Sequence, residues 1–177
     1  AAPELCLSLG EAMGAQGLPV SVDVERSLGE PGAIIGFGSD ASMAAVAAAT
    51  PGSRHSLYGH RFSIAWVTSD PRAAAQGLAM DAARYDGRGC MAPAAVFTTV
   101  DPLELGEALA SELAALQSRL PRGPVDPAFG PRWRRRTGLA RVLGRCVEGP
   151  EWAVPVLDGA YLSPSALPRM LPVHGVA

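Results

Sequence analysis

The apolar run Ala33-Ile34-Ile35-Gly36-Phe37 constrains this chain more than any other segment. It follows the turn-forming stretch Gly29-Glu30-Pro31-Gly32, and Gly38-Ser39-Asp40 comes directly after it, with residues suited to a helix N-terminus. A run this short and this apolar, closed on both sides by turn residues, reads as a fully buried strand. The helix it feeds extends through Ala49 and is stopped by Thr50-Pro51-Gly52. Upstream, Pro3 to Gln16 carries Leu5, Leu9, Ala12 and Met13 at helical spacing, and Pro19 to Val24 alternates with period two. Helix, strand, strand, helix with short links calls for a parallel sheet, so the fold class is α/β.

The alternation continues. Phe62 to Val67 predicts a strand, Ser69-Asp70-Pro71 a helix start, and Arg72 to about Arg84 the helix. Ala94 to Val100 predicts another strand, followed by an apolar stripe of Leu105, Leu109, Leu113, Leu116 and Leu120 on one helix face. That stripe is a core face, too short for a coiled coil, and no internal repeat is present. Residue 1 is not Met, and His174-Gly175-Val176-Ala177 trails off without a terminating signal. Both ends therefore read as truncated.

A chain of 177 residues, 48% hydrophobic, has enough apolar side chains for a real core. No stretch approaches the ~20 apolar residues of a membrane span, and no signal peptide pattern opens the chain. A cytoplasmic location is expected. Cys6, Cys90 and Cys146 show no metal-ligand spacing and cannot all pair, so neither a disulfide framework nor a metal site is expected. A net charge of -2 gives no general attraction to nucleic acid. The local run Arg132, Arg134, Arg135, Arg136 reads first as a solvated helix face, with phosphate binding as the alternative. All 15 basic residues are Arg, which excludes Schiff-base and P-loop chemistry from this chain.

Cys90 follows a helix and the turn Tyr85-Asp86-Gly87-Arg88-Gly89, and precedes a strand. Such a position leaves a sulfur at the end of an element, where backbone N–H groups and Arg88 favour the thiolate. On local features alone, a lone Cys is more often a small buried hydrophobe. Cys6 and Cys146, on a helix face and near a helix end, keep that reading.

The segment Arg88-Gly89-Cys90-Met91-Ala92-Pro93, with Tyr85-Asp86 ahead of it, resembles the Cys motif of the long-chain acyl-CoA reductases of bacterial luminescence, a branch of the aldehyde dehydrogenase superfamily. Gly36-Phe37-Gly38-Ser39 resembles the superfamily's Phe-Thr-Gly-Ser turn, which faces the cofactor. Tyr58-Gly59-His60 falls where its Glu-Leu-Gly-Gly motif stands. The order agrees, with Gly38 preceding Gly59 by 21 residues and Gly59 preceding Cys90 by 31. The match covers about residues 18 to 100.

The resemblance implies an aldehyde dehydrogenase-like α/β fold, with residues 1–60 as the end of a nucleotide-binding domain and 61–177 as the start of the Cys-bearing catalytic domain. It implies Cys90 as nucleophile, Phe37, Gly38, Ser39 and Gly59 as the cofactor-facing set, and NADPH as cofactor, with NADH as the alternative. His60 is a second catalytic candidate, as proton donor to coenzyme A or base to Cys90, although a strand-edge His bonded to backbone is the commoner case. Aldehyde-oxidising members carry a Glu that activates water to hydrolyse the enzyme thioester, whereas His55-Ser56-Leu57-Tyr58-Gly59 has no carboxylate. That loss favours acyl-CoA as substrate, reduced to aldehyde through a covalent Cys thioester. A homo-oligomer is expected at full length, with no nucleic acid partner. Two rivals stand beside this reading: an acyl-phosphate reductase of the same fold, and a truncated domain without catalysis that binds a nucleotide or a partner protein.

Overall fold

The computed structural model describes residues 3–19, 22, 29–59, 61–89, 91–159, 161 and 167–176. The chain forms two compact units, Ala1–His60 and Arg61–Ala177. In the first unit, α1 (Pro3–Ala15) is followed by β1 (Ala33–Phe37), α2 (Asp40–Ala49) and β2 (Arg54–Tyr58). Gly17, at φ +75°, closes α1: its N–H donates to the Gly14 carbonyl while that of Leu18 donates to Met13. This left-handed stop is one that glycine adopts without strain. β1 and β2 pair in parallel from Ala33 opposite Arg54 to Phe37 opposite Tyr58, with α2 as the crossover.

β1 is where expectation and structure part. The fully buried strand is instead alternately exposed, Ile35 at 73% and Phe37 at 76%. Helix α2 covers the face of Gly36, against which Met43 sits, and leaves the face of Ile35 and Phe37 open. The periodicity of β2 gave no strand signal, and only pairing with β1 makes it one. The strand expected over Pro19 to Val24 lies largely outside the described residues. Of its members, Pro19 and Val22 are described and belong to no element.

The second unit holds β3 (Ser63–Val67), α3 (Pro71–Ala83), β4 (Pro93–Thr98), α4 (Pro102–Gln117), α5 (Phe129–Leu143), β5 (Arg145–Glu148), β6 (Ala153–Asp158) and β7 (Val173–Gly175). Its sheet runs β3-β4-β7-β6-β5, parallel except for the antiparallel β5–β6 pair. Asp70 caps α3 by accepting from Ala73 N–H at 3.0 Å, and Asp101 caps α4 by accepting from Leu103 N–H at 2.9 Å. Each is followed by Pro at the first helical position, where a missing N–H costs nothing.

The predicted stripe is core: Leu105, Leu109, Leu113 and Leu116 are buried against Ala75, Ala79 and Ala82 of α3 and against Val154, Val156 and Val173 of the sheet. Small residues on α3 let the two helices approach closely. Among the described residues, no helix is long and apolar enough to cross a membrane.

Candidate functional site

In the first unit the structure brings Phe37, Gly38, Ser39 and Gly59 together at the carboxyl ends of β1 and β2. The Gly38 N–H donates to the Tyr58 carbonyl at 3.1 Å, which joins the turn after β1 to the end of β2. The rings of Phe37 and Tyr58 stack at 5.0 Å with an interplanar angle of 11°, both largely exposed. Ser39 is the N-cap of α2, its Oγ accepting from Ser42 N–H at 3.1 Å and bonded to Ser42 Oγ at 2.8 Å. Its hydroxyl thus serves the helix. The Asp40 carboxylate lies against Gly59, where a Cβ would force it to move.

The carboxyl ends of parallel strands are where open α/β sheets bind ligands. This end offers an exposed aromatic platform, a helix N-terminus and the carboxylate of Asp40. A planar ring with a hydroxylated sugar suits such a set better than a phosphate does, since the carboxylate repels anions. His55 is engaged elsewhere, its Nε2 bonded to Thr50 Oγ1 at 3.0 Å. His60 lies outside the described residues.

In the second unit the loop after α3 leads to Cys90, which also lies outside the described residues. The loop itself is tightly held. Asp86 Oδ1 accepts from Arg169 Nε at 2.7 Å, and Asp86 Oδ2 accepts from the Gly123 N–H at 2.9 Å. Arg169 is buried and also donates from Nη2 to the Ala83 carbonyl at 3.2 Å. Glu151 stands 3.8 Å from Arg169 Nη1 and accepts from the Arg122 N–H at 3.0 Å. A cleft of about 390 Å³ opens beside this network, lined by Arg84, Tyr85, Arg119 and Leu120 among others. Sequence reasoning passed over Arg169, Gly123 and Glu151. The one local signal was the Asp86-Gly87 pair, a turn former.

The other two cysteines differ from each other. Cys6 is exposed on α1 rather than buried. Cys146 is half-buried on β5, where burial first and the Glu148 carboxylate second push its thiol up to about 12. Such a thiol is protonated at neutral pH and a poor nucleophile. Among the Arg run on α5, Arg132, Arg134 and Arg135 are exposed, as a solvated face requires, and Arg136 is half-buried. Burial and the neighbouring Arg135 lower the pKa of Arg136.

Comparison with known proteins matches residues 22–143, more than half of the chain, to the family described as acyl-CoA reductase (LuxC). None of the curated proteins matches the chain. Among solved structures the chain is similar to the aldehyde dehydrogenase KauB from Pseudomonas aeruginosa, at 15% identity and a TM-score of 0.61, covering 81% of this chain and 35% of that one. It is also similar to an NAD-dependent benzaldehyde dehydrogenase from Corynebacterium glutamicum, at 20% identity and a TM-score of 0.60, covering 82% and 36%. A third is the methylmalonate-semialdehyde dehydrogenase DddC from Oceanimonas doudoroffii, at 19% identity and a TM-score of 0.57, again covering 82% and 36%. The likeness is one of fold: the chain has an aldehyde dehydrogenase-like α/β architecture and spans about a third of the length of these structures.

Proposed function

Given that the chain belongs to the acyl-CoA reductase (LuxC) family, we propose that the whole protein reduces a fatty acyl-CoA thioester to the aldehyde, with Cys90 as nucleophile. The observation that carries this reading is the family match over residues 22–143, which includes the Arg88-Gly89-Cys90-Met91-Ala92-Pro93 segment. The Cys90 thiolate attacks the acyl carbonyl, the new sulfur–carbon bond replaces the thioester bond to coenzyme A, and the departing thiolate takes up a proton. Backbone N–H groups near Cys90 stabilise the oxyanion of that step. A reduced nicotinamide, when bound, supplies the hydride that takes the enzyme thioester to the aldehyde level. Phe37, Tyr58, Gly38 and Gly59 are the residues to hold it: the stacked rings offer a platform for the planar ring, and the Gly38 N–H bonded to the Tyr58 carbonyl joins the two strand ends that carry it. Asp40 beside Gly59 suits sugar hydroxyls. That relatives of this fold are NAD-dependent supports a nicotinamide, and NADPH is the form proposed here.

Nothing in Arg54–Tyr58 carries a carboxylate, and the motif resemblance equates Ser56 with the water-activating Glu of the aldehyde-oxidising enzymes. Transfer between thiols is close to energetically neutral and needs no such base. This favours thioester exchange over hydrolysis to free acid, while the Arg88-Gly89-Cys90-Met91-Ala92-Pro93 segment and the family match set acyl-CoA ahead of acyl phosphate. Quenching the full-length protein with a long-chain acyl-CoA and analysing it by mass spectrometry tests the reading. An acyl adduct on Cys90, lost in Cys90→Ala with nucleotide binding retained, is expected. An adduct on Cys6 or Cys146, or release of phosphate from an acyl phosphate in place of coenzyme A, overturns it.

A further inference from the structure

The loop leading to Cys90 is held in a backbone state that side chains resist. Tyr85, Asp86 and Gly87 follow one another at φ of 77°, 54° and 71°. This is the left-handed region, which glycine enters freely and other residues enter against steric resistance. The Tyr85 ring is 74% exposed, so its packing does not hold the turn. Asp86 does, through the two bonds its carboxylate accepts from Arg169 Nε and the Gly123 N–H. Arg169 is only 3% exposed, is itself left-handed at φ 54°, and reaches back to Ala83 at the end of α3. One buried guanidinium therefore joins the helix end to the turn. Beyond it the backbone is tied on both sides of Cys90, with the Arg88 N–H donating to the Tyr85 carbonyl and the Ala92 N–H to the Gly89 carbonyl, each at 3.0 Å.

Strained backbone persists only where its surroundings over-determine it, and such places gather at sites where geometry matters. Here the strain falls on the very residue whose carboxylate is clamped, four positions before Cys90. We propose that Asp86 is the positioning residue of the nucleophile loop: clamped between Arg169 and Gly123, it fixes the turn that leads into Cys90. This rests on Cys90 being the nucleophile. Both Asp86 oxygens are engaged by Arg169 and the Gly123 N–H, so the role proposed for it is to hold the loop, with its effect on the rate of acylation and not on binding.

Two variants of the full-length protein, Asp86→Asn and Gly123→Ala, test this with dodecanoyl-CoA as probe. The first replaces an acceptor of the Gly123 N–H with a donor or turns the amide away from Arg169. The second places a Cβ 3.1 Å from Asp86 Oδ2, a displacement of tenths of an ångström in a segment outside helices and strands. Single-turnover release of coenzyme A, normalised to the folded fraction, is expected to slow about 100-fold in Asp86→Asn and about 10-fold in Gly123→Ala, as misplaced reacting groups do. The KM for acyl-CoA and the shape of the pH profile should hold. If Asp86→Asn does not fold, Gly123→Ala decides alone. Parent rates per folded molecule, a loss confined to KM, or a shifted pH profile each overturn the proposal. Absence of an adduct on Cys90 in the parent protein overturns the functional reading and this proposal with it, and is seen before any variant is made.

Discussion

Arg169 and Asp86, 83 residues apart in sequence, form a buried ion pair at 2.7 Å in which the guanidinium is 3% exposed and the carboxylate 14%. Removing one partner of such a pair strands the other charge away from water. Arg169→Met is therefore expected to lower the unfolding free energy by about 3–5 kcal/mol. Arg72→Ala, which breaks an exposed pair with Glu104 at 3.8 Å, should cost under about 1 kcal/mol. Urea denaturation of both variants measures the contrast. Equal small losses would mean that Asp86 is held by Gly123 alone.

Two helical glycines should respond in opposite directions to alanine. On α4, a Cβ at Gly106 would run into the Val156 side chain of β6, so Gly106→Ala is expected to destabilise by about 1–3 kcal/mol through overpacking. On α5, nothing lies within 4 Å of a Cβ at Gly138, so Gly138→Ala should stabilise by about 0.5–1 kcal/mol through helix propensity alone. Thermal denaturation of the two variants gives the signs directly.

Cys146 carries a pH dependence with a definite sign. Its folded thiol is pushed up from 9.0 to about 12, so between those values the folded chain keeps a proton that the unfolded chain has lost. The stability it contributes is present below pH 9 and declines as pH rises toward about 12. Cys146→Ala should flatten that part of the stability profile. At neutral pH, iodoacetamide should label exposed Cys6 well before Cys146, as peptide mapping would resolve.

On the proposed mechanism the Cys90 acyl-enzyme should persist when cofactor is withheld, because His55-Ser56-Leu57-Tyr58-Gly59, the stretch that resembles the Glu-bearing motif, has no carboxylate to activate water. Ser56→Glu should raise the rate at which free acid appears. Rapid hydrolysis in the parent protein would overturn this expectation. Chromatography of free acid against time separates these outcomes.

Much of the architecture was written locally. Ser39 and Asp70 announce the helices they cap, and the spacing of Leu105, Leu109, Leu113 and Leu116 states which face of α4 is buried. The strands β3 and β4 fall within a residue or two of their apolar runs. That Phe37, Gly38, Ser39 and Gly59 meet at one end of the first unit follows from the pairing of β1 with β2, and β2 by itself has no alternating pattern to declare a strand.

The end of the chain makes the boundary clear. Val173-His174-Gly175 carries no sequence signal beyond a Pro-rich approach, yet as β7 it sits at the centre of the five-stranded sheet, between β4 and β6. Three residues cannot hold a strand by propensity, and hydrogen bonds from both neighbours supply what local preference lacks. The same holds for Arg169, which nothing nearby in sequence distinguishes. The sequence alone determined caps, helix faces and the order of the motifs, since these depend on residues within a turn or two of each other. Tertiary structure decided which short segments become central strands and which distant charge clamps the loop before Cys90, because those energies arise only when segments far apart in the chain share one desolvated place.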